Sequence, residues 1–531
     1  MAVAAGLCVS PAFAATATAQ ASASSAAPAE VGELVVVAQK REQSIQSVPV
    51  AITAFSGQQR ALMGITKVQD LTDFAPGLSW TDINDRIFIR GIGRNSDNLN
   101  NTSGVAIYYN GIYYGANAAI ELQKDDLFIG NIEIDNGPQN TLHGSNADGG
   151  MVQYSSNRPT NSYYAEVRAG ISNYSEYMVE GVVSGPINDH LKFRLGANYT
   201  QMLGGYFDNL DGAPQGGNLV LGGGGNTHYL EGQLEGHWDN LDVWVEASSG
   251  EFAANSRGAG ALGVIPSSHI LSGGLEPSGF YGLCGLPGVV GSANGAGCTG
   301  GPTIVPGSVR TYPITANQFP GNNPGNLNIR NFIQEFNSIN DQQDNVQLSA
   351  NVTYHLPSLD VTYLGGYQQF HYVLEFPTDA DAGVTSYQEA GLTPASPSFG
   401  TCSAVFGPAA CEAPLTIFPT PNYTVFNEYD QSFSHELDFT STWHSPFQYV
   451  AGLYWYHEHY IQPVDAGSEP DQPQMAHPLL LTFAPAPPNP TSAASSDLTE
   501  ITYDSIAAFA QGSYKFNDQW KVSGAVRYTN N

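Results

Sequence analysis

The chain has 531 residues, and 48 acidic side chains against 18 Lys and Arg give it a formal charge of −30. That excess argues against a nucleic-acid partner, because few cations are present to neutralise a row of phosphates. No run of 18 apolar residues occurs, which excludes membrane-spanning helices, and the 58 Gly, 28 Tyr and 24 Phe point to a large β-rich protein made outside the cytoplasm.

Residues 1–14 read as part of a secretory leader, since a run of small apolar residues ends in Ala12-Phe13-Ala14, an A-x-A-like cleavage site. No basic stretch precedes the run, so the true start is expected upstream. Cys8 follows Leu7, where a lipid-anchored cysteine would follow a small residue. Residues 15–32 are Ala, Thr, Ser, Gln and Pro without periodicity and read as a flexible linker.

Residues 31–160 read as mixed α/β. Short β-favouring runs occur at 34–37 and 50–53. Ser56 is placed to cap a helix through Met63, and a second helix is expected over 67–74, stopped by Pro76-Gly77. Another strand is expected over 87–89. The runs 105–109 and 112–114 flank Asn110-Gly111, the strongest short hairpin signal. A further strand over 132–134 runs into Asn136-Gly137-Pro138.

From residue 161 the pattern becomes period-two alternation. In 345–354 the apolar set is Val346, Leu348, Ala350, Val352 and Tyr354, and Asn345, Gln347, Ser349, Asn351 and Thr353 lie between them. Eleven such segments occur, near 163–172, 176–187, 191–202, 228–238, 241–252, 344–356, 359–374, 430–442, 447–461, 502–515 and 519–529. A soluble sandwich also alternates, so the connections decide. Short turns take every second place, and most of the others hold long loops near 203–227, 253–343, 375–429 and 462–501. A transmembrane β-barrel sorts its loops in this way, short on the periplasmic side and long outside. Lys192, Arg194, Glu231, Asp242, Glu246 and Arg527 all fall on the non-apolar side, where they escape the cost of about 2–4 kcal/mol for a mid-membrane Lys or Arg. Tyr199, Trp238, Tyr354, Trp443, Trp520 and Tyr528 fit interfacial girdles. An odd set of eleven strands would leave two edges in hydrocarbon, so the sequence reads as truncated.

Excluding Cys8, the cysteines form two local pairs in Gly/Pro-rich loops, Cys284 with Cys298 and Cys402 with Cys411. Spacings and nearby His suited to zinc are absent, so two loop-stapling disulfides are expected. His457 and His459 share the outward strand face while Glu458 points opposite, so three-ligand metal capture is awkward and no metal site is expected. Asp379 and Asp381 lack a full calcium loop. No G-x-S-x-G elbow or H-E-x-x-H occurs, so neither an enzyme nor a cofactor is expected.

A compact α/β domain ahead of a long-looped barrel resembles the TonB-dependent receptors, in which a plug sits inside a 22-stranded barrel. The stretch 33–41 (ELVVVAQKR) resembles their energy-coupling box, 89–93 (IRGIG) their plug Arg-Gly-x-Gly motif, and 132–150 with Arg158-Pro159 their long plug signature. The stretch 509–529 is similar to a family barrel hairpin. Asn136, Asn140, His143 and Ser145 depart from the usual Arg, Gly, Tyr and Arg. The missing Arg at 136 commonly pairs with barrel carboxylates, work for which Arg90 remains available.

The resemblance implies an α+β plug followed by a transmembrane antiparallel β-barrel, with about half of the strands present. The divisions are a leader at 1–14, linker at 15–32, TonB box region at 33–41, plug at 42–160 and incomplete barrel at 161–531. It further implies that Glu33, Leu34, Val35, Val36, Val37, Ala38 and Gln39 pair as an added strand with the periplasmic TonB protein. Arg90, Gly91, Gly93, Gly137, Pro138, Gly144, Gly149 and Gly150 are the plug's structural motif residues. Arg94, Asn95, Asp97, Tyr113 and Tyr114, on two apical loops, are the candidates for holding substrate. The expected function is energised import of a scarce small molecule (siderophore, vitamin, carbohydrate or aromatic compound) across the outer membrane of a Gram-negative bacterium. The competing expectation is a passive channel or a surface-binding barrel, which needs neither box nor plug.

Overall fold

The computed structural model describes residues 35–38, 40–44, 51–65, 69–81, 86–94, 103–114, 126–144, 146–205, 207–209, 221–222, 225–255, 331–332, 339–377, 387–389, 394, 408, 415–417, 422–468, 493–517 and 519–531. All five cysteines, and with them both expected disulfides, lie outside this set.

The plug begins with a two-stranded hairpin, β1 (Val35–Ala38) and β2 (Arg41–Ser44), in register from Val35 opposite Ser44 to Ala38 opposite Arg41. β3 (Ala51–Ser56) leads directly into α1 (Gly57–Met63). Ser56 is the cap: its hydroxyl accepts from the Gln59 N–H, and the Gln59 side chain accepts from the Ser56 N–H. This reciprocal box satisfies two helix-end donors that would otherwise lack partners. The second expected helix contracts to a 3-10 segment, Gln69–Asp73, tightened by the Thr72 hydroxyl bonding back to the Gln69 carbonyl.

β4 (Leu78–Thr81), β5 (Arg86–Ile89) and β6 (Ile92–Gly93) form a small antiparallel sheet. β7 (Val105–Tyr109) and β8 (Ile112–Tyr114) turn at Asn110 and Gly111, whose φ angles of 53° and 80° are the positive pair that an Asn-Gly hairpin accommodates. β9 (Ile129–Asn136), the short helix α2 (Asn140–His143) and β10 (Gly150–Ser156) complete the plug. Its main sheet runs β3-β9-β10-β7-β8, with β10 parallel to β7 and every other pairing antiparallel. β10 sits at its centre and has no counterpart in the sequence reading. The core lies between the two plug sheets and α1, around Phe55, Leu71, Ile89, Ile107, Tyr109 and Ile134.

The wall is one antiparallel sheet of eleven strands: β11 (Tyr164–Ser172), β12 (Glu176–Pro186), β13 (Leu191–Met202), β16 (Gly225–Trp238), β17 (Leu241–Asn255), β19 (Ile339–Leu356), β20 (Leu359–Pro377), β23 (Asn422–Ser441), β24 (Phe447–Ser468), β25 (Ala493–Lys515) and β26 (Lys521–Asn530). The intervening numbers are short loop strands: β14 (Phe207–Asn209), β15 (Leu221–Gly222), β18 (Asn331–Phe332), β21 (Tyr387–Glu389) and β22 (Leu415–Ile417). β11 and β26 are the two edges, so the sheet is open. On the short-turn side, neighbouring turns are stitched together, as where the His355 N–H bonds the Asn240 carbonyl at 2.8 Å.

The faces are the reverse of a soluble protein's. Leu348 is 46% exposed while its neighbour Gln347 is 2% exposed. Val179, Leu195, Leu230, Leu453 and Ile506 are likewise exposed, whereas Glu180, Arg194, Glu231, Glu246 and Glu428 are buried. A continuous apolar exterior over a polar interior is the solvation pattern of a barrel wall in lipid. The polar face touches the plug from β11 to β26, so the sheet curves around it.

One local break resets the parity. At Asp344 (φ 53°) the pairing of β19 with both neighbours slips, and beyond it Gln342, an even-numbered residue, takes the buried face held below by Asn345 and Gln347.

Candidate functional site

The glycine-rich plug motif is a set of close approaches. Gly144, at φ 91°, lies against the Arg527 guanidinium of β26, which comes within 2.8 Å of where a Cβ would sit. Gly150, at φ 146°, presses on the Asp135 carbonyl of β9. Gly150, against backbone, has no room for a side chain, and neither φ suits one. Gly137, beside Pro138, donates its N–H to the Gly149 carbonyl at 2.9 Å, and Gly93 packs on Phe88. Arg90 and Gly91 form the exposed β5–β6 turn, where the Arg90 N–H bonds Gly77.

Arg90 makes no ion pair with any described residue, so the anchoring proposed for it falls to other groups. Arg168 of β11 holds the Asp126 carboxylate with both terminal nitrogens, at 3.0 and 3.2 Å. Arg194 of β13 pairs with Glu231 of β16 at 3.1 Å and donates to the plug carbonyl of Leu127. Gln233 bonds the Asn157 carbonyl at 3.0 Å, while the Asn157 amide bonds the carbonyls of Asp126 and Leu127. Arg158 lies 3.7 Å over the Trp244 ring. Sequence parity put Arg194 and Glu231 on one face but could not name their plug partners.

The strand expected to couple to TonB is present as β1, with Glu33, Leu34 and Gln39 outside the described residues. The β-prone segment of the sequence reading is one half of a hairpin with β2. At the hairpin turn Lys40 adopts φ 59° and reaches the wall, pairing with Glu436 of β23 and, at 3.5 Å, with Asp438. Its ammonium also lies 4.5 Å over the Phe509 ring. Lys40 was missed in the sequence because nothing local marks it; its partners lie some 400 residues away. Beside it, burial and the positive charges of Lys40 and Arg527 push His143 down to about 3, so the imidazole is neutral at physiological pH. Tyr108 donates its hydroxyl to the His143 carbonyl and sits edge-on to the ring.

Past Tyr108, whose ring lies 5.6 Å from that of Tyr113, the substrate candidates divide. Asn95 and Asp97 lie outside the described residues. Tyr114 is in the plug core against Tyr109, with their ring centroids 5.9 Å apart. Arg94 is buried, within electrostatic reach of Glu458 on β24. Tyr113 faces the wall, edge-on to Tyr456 at 5.2 Å, with its hydroxyl held by Asn146 at 2.8 Å. Burial and the nearby Glu458 keep the Tyr113 phenol protonated. Arg94 and Tyr113, the inner ends of the two apical loops, therefore converge on one patch of wall. His457 and His459 point outward and pair with Asp504 at 2.7 Å and Glu500 at 2.8 Å.

Inside the plug, Asp135 of β9 is buried without a positive partner among the described residues, and burial raises its carboxyl to about 6.

A plug with an N-terminal strand, seated on the polar face of a curved sheet whose outer face is apolar, is the arrangement that known families can be measured against. Residues 44–151 match the TonB-dependent receptor plug domain, and residues 295–531 match the β-barrel of TonB-dependent receptor-like proteins. The chain belongs to the TonB-dependent receptor family. That family comprises outer-membrane β-barrel proteins of Gram-negative bacteria and consists of transporters rather than enzymes.

Among TonB-dependent receptors of known role, the pesticin receptor of Yersinia pestis is 27% identical over 165 residues, 30% of this chain and 24% of that one. The ferrichrome outer membrane transporter/phage receptor of Escherichia coli is 28% identical over 134 residues, 24% of this chain and 17% of that one. In solved structures, the ferric yersiniabactin uptake receptor FyuA of Yersinia pestis superposes with a TM-score of 0.57 at 16% identity, covering 90% of this chain and 56% of that one. The ferripyoverdine receptor of Pseudomonas aeruginosa gives 0.57 at 12%, covering 93% and 54%. The chain thus spans little more than half the length of these solved receptors, and the likeness shows their fold.

Proposed function

We propose that this chain acts in the outer membrane as an energy-coupled importer of a scarce small molecule, with an iron chelate the foremost class. The proposed division is a leader at 1–14, a linker at 15–32, a coupling region at 33–41, a plug at 42–160 and barrel wall from 161. The observation that carries the reading is the β1–β2 hairpin. β1 pairs only with β2 among the described residues, so its other edge is open for an added strand from TonB. Force applied there runs along the main chain to Lys40, whose ammonium is fastened to the wall. The named roles of the relatives, among them ferric yersiniabactin uptake and ferrichrome transport, support the chelate class.

The test is accumulation of labelled iron chelates by cells making the receptor, with and without a proton gradient. Val36→Pro removes a main-chain donor from the coupling strand. It is expected to abolish the gradient-dependent part while leaving surface binding intact. Uptake that ignores both the gradient and the proline would instead mark a passive channel.

A further inference from the structure

A single line of alternating charges crosses the short-turn rim of the wall. The Lys192 ammonium of β13 lies 3.3 Å from the Glu235 carboxylate of β16. The same Glu235 oxygen is 2.7 Å from Nε2 of His237, whose Nδ1 is 2.7 Å from Asp242 of β17. Asp242 turns its second oxygen to Nε2 of His355 on β19, at 3.0 Å, and Nδ1 of His355 meets Asp360 of β20 at 2.8 Å. His237, Asp242, His355 and Asp360 each stand one residue in from a strand end at a short turn. They share the inner-face parity of Glu231, Glu246, Gln347 and Gln368. The side chains of His237, Asp242 and His355 are 47%, 42% and 41% exposed, so water reaches them at this mouth of the wall.

This geometry requires protons. An ionised carboxylate only accepts hydrogen bonds, so a ring nitrogen that faces one must carry hydrogen. Both nitrogens of both rings face carboxylates, and each ring is therefore an imidazolium. A neutral ring would turn a lone pair on one of its carboxylates and lose that link. Around the two rings the charged groups are Glu235 on β16, Asp242 on β17, Asp360 on β20 and, through Glu235, Lys192 on β13. Thr353 and Thr440, opposite Asp242 and Asp360, are uncharged, and Asp189, Asp239 and His190 sit exposed in the adjoining turns. The bonds to Asp242 first, then those to Glu235 and Asp360, hold both His charged above their ordinary 6.5. Partial burial opposes ionisation of Asp242, but the bonds from His355 and His237 outweigh it and keep the carboxyl below its ordinary 3.8. The line is thus complete between about pH 4 and 6.5. Its His links are lost as pH rises through their raised values, and its Asp242 links as pH falls through the lowered one.

The line adjoins the part of the wall that anchors the plug. Two residues along β16 from Glu235, Gln233 bonds the plug carbonyl of Asn157 at 3.0 Å. Two residues along β17 from Asp242, Trp244 carries the plug's Arg158 at 3.7 Å. We propose that Glu235, His237, Asp242, His355 and Asp360 form a proton-operated staple. It clamps β16, β17, β19 and β20 at the rim beside the anchor while both imidazoles are charged, and it opens when either loses its proton. Asp242 is the common member, one oxygen to each ring, so the staple depends on it more than on any other side chain. The anchor then rests on a stiffer rim in mildly acidic surroundings than in alkaline ones, whatever the receptor carries.

The test uses the purified receptor in detergent, with its histidine rings isotope-labelled and the signals of His237 and His355 assigned from His237→Gln and His355→Gln. Asp242→Asn is expected to weaken proton binding at both rings by at least about threefold, because each loses its shared carboxylate. Amide hydrogen exchange reads the rim itself. After correction for the intrinsic rate, residues 237–242 and 353–360 should exchange at least about threefold more slowly at about pH 5.5 than at about pH 8.5. Asp242→Asn should erase that difference at both turns. His355→Gln should erase it over 353–360 and leave it over 237–242, since His237 keeps Glu235 and Asp242; this second variant keeps the staple testable if the first alters the fold. Proton binding at His237 and His355 that ignores Asp242→Asn, or corrected exchange in the wild type that is equal at the two pH values, overturns the proposal.

Discussion

The plug meets the wall in two different ways. Along β11 to β17 the Asp126–Leu127 corner is fixed by Arg168, Arg194, Gln233 and Asn157, and Arg158 stacks on Trp244. Along β20 to β24 the β7–β8 hairpin lies against the wall mainly through Ile112, packed at Gly366, and Tyr113, packed on Tyr456. Buried polar atoms without partners occur on both sides, at Gln368 of β20 and at Glu246 of β17. The first side is an anchor and the second a sliding surface. Apart from Lys40, paired with Glu436 and Asp438, and Arg94 near Glu458, the described plug contacts are charge-assisted bonds on the first side and shape on the second.

The sharpest way to break this contrast is Arg194→Ala. It strands Glu231 as a buried charge and removes a donor to the plug, so it should cost about 3–5 kcal/mol, read as a lowered urea midpoint from Trp244 fluorescence. Adding Glu231→Gln should restore much of the loss, and an unchanged midpoint for the single variant would dismiss the anchor.

A smaller effect separates the plug's own stability from its seating. The Asp135 carboxyl is raised from 3.8 to about 6, so the folded plug holds that proton more tightly than the unfolded chain does. Stability from this group is full below about pH 4 and lost as pH rises through 6. Asp135→Asn should therefore gain about 2–3 kcal/mol at neutral pH and nothing below pH 4. His143 works in the opposite direction: pushed down to about 3, it leaves the fold unpenalised above 6.5 and costs stability as pH falls toward 3. A wild-type pH profile thus has both slopes, and only the first should vanish in the Asn variant.

The smallest effect is expected on the sliding side. Gln368→Leu removes two unmet polar groups and should leave the urea midpoint within about 0.5 kcal/mol of wild type or raise it. A loss as large as that of Arg194→Ala would erase the distinction between the two surfaces.

All eleven wall strands were legible from alternation, but their outer ends were not. β23 begins at Asn422 and not near 430, β24 continues to Ser468 past 461, and β25 begins at Ala493, ahead of 502. Above the lipid both faces of a ribbon meet water, so the period-two signal fades while the hydrogen-bond ladder continues. The bulge at Asp344 ended the reading of β19 for a related reason, since one inserted residue exchanges the faces. In the plug, the capped helix and the Asn-Gly hairpin were written locally. β10 was not, because a buried central strand loses the alternation that marks a half-exposed one.

The sequence by itself determined which side of each ribbon is apolar and where the short turns fall. These follow from spacings of a few residues, and side-chain period and turn chemistry act at that range. Only the tertiary structure decided that Lys40 is bound to Glu436 and Asp438, that Asp126 rather than Arg90 ties the plug to the wall, and that Tyr114 is core while Tyr113 is wall-facing. Those pairings join residues far apart in the chain, and electrostatic partners are chosen by proximity in space, on which local pattern is silent.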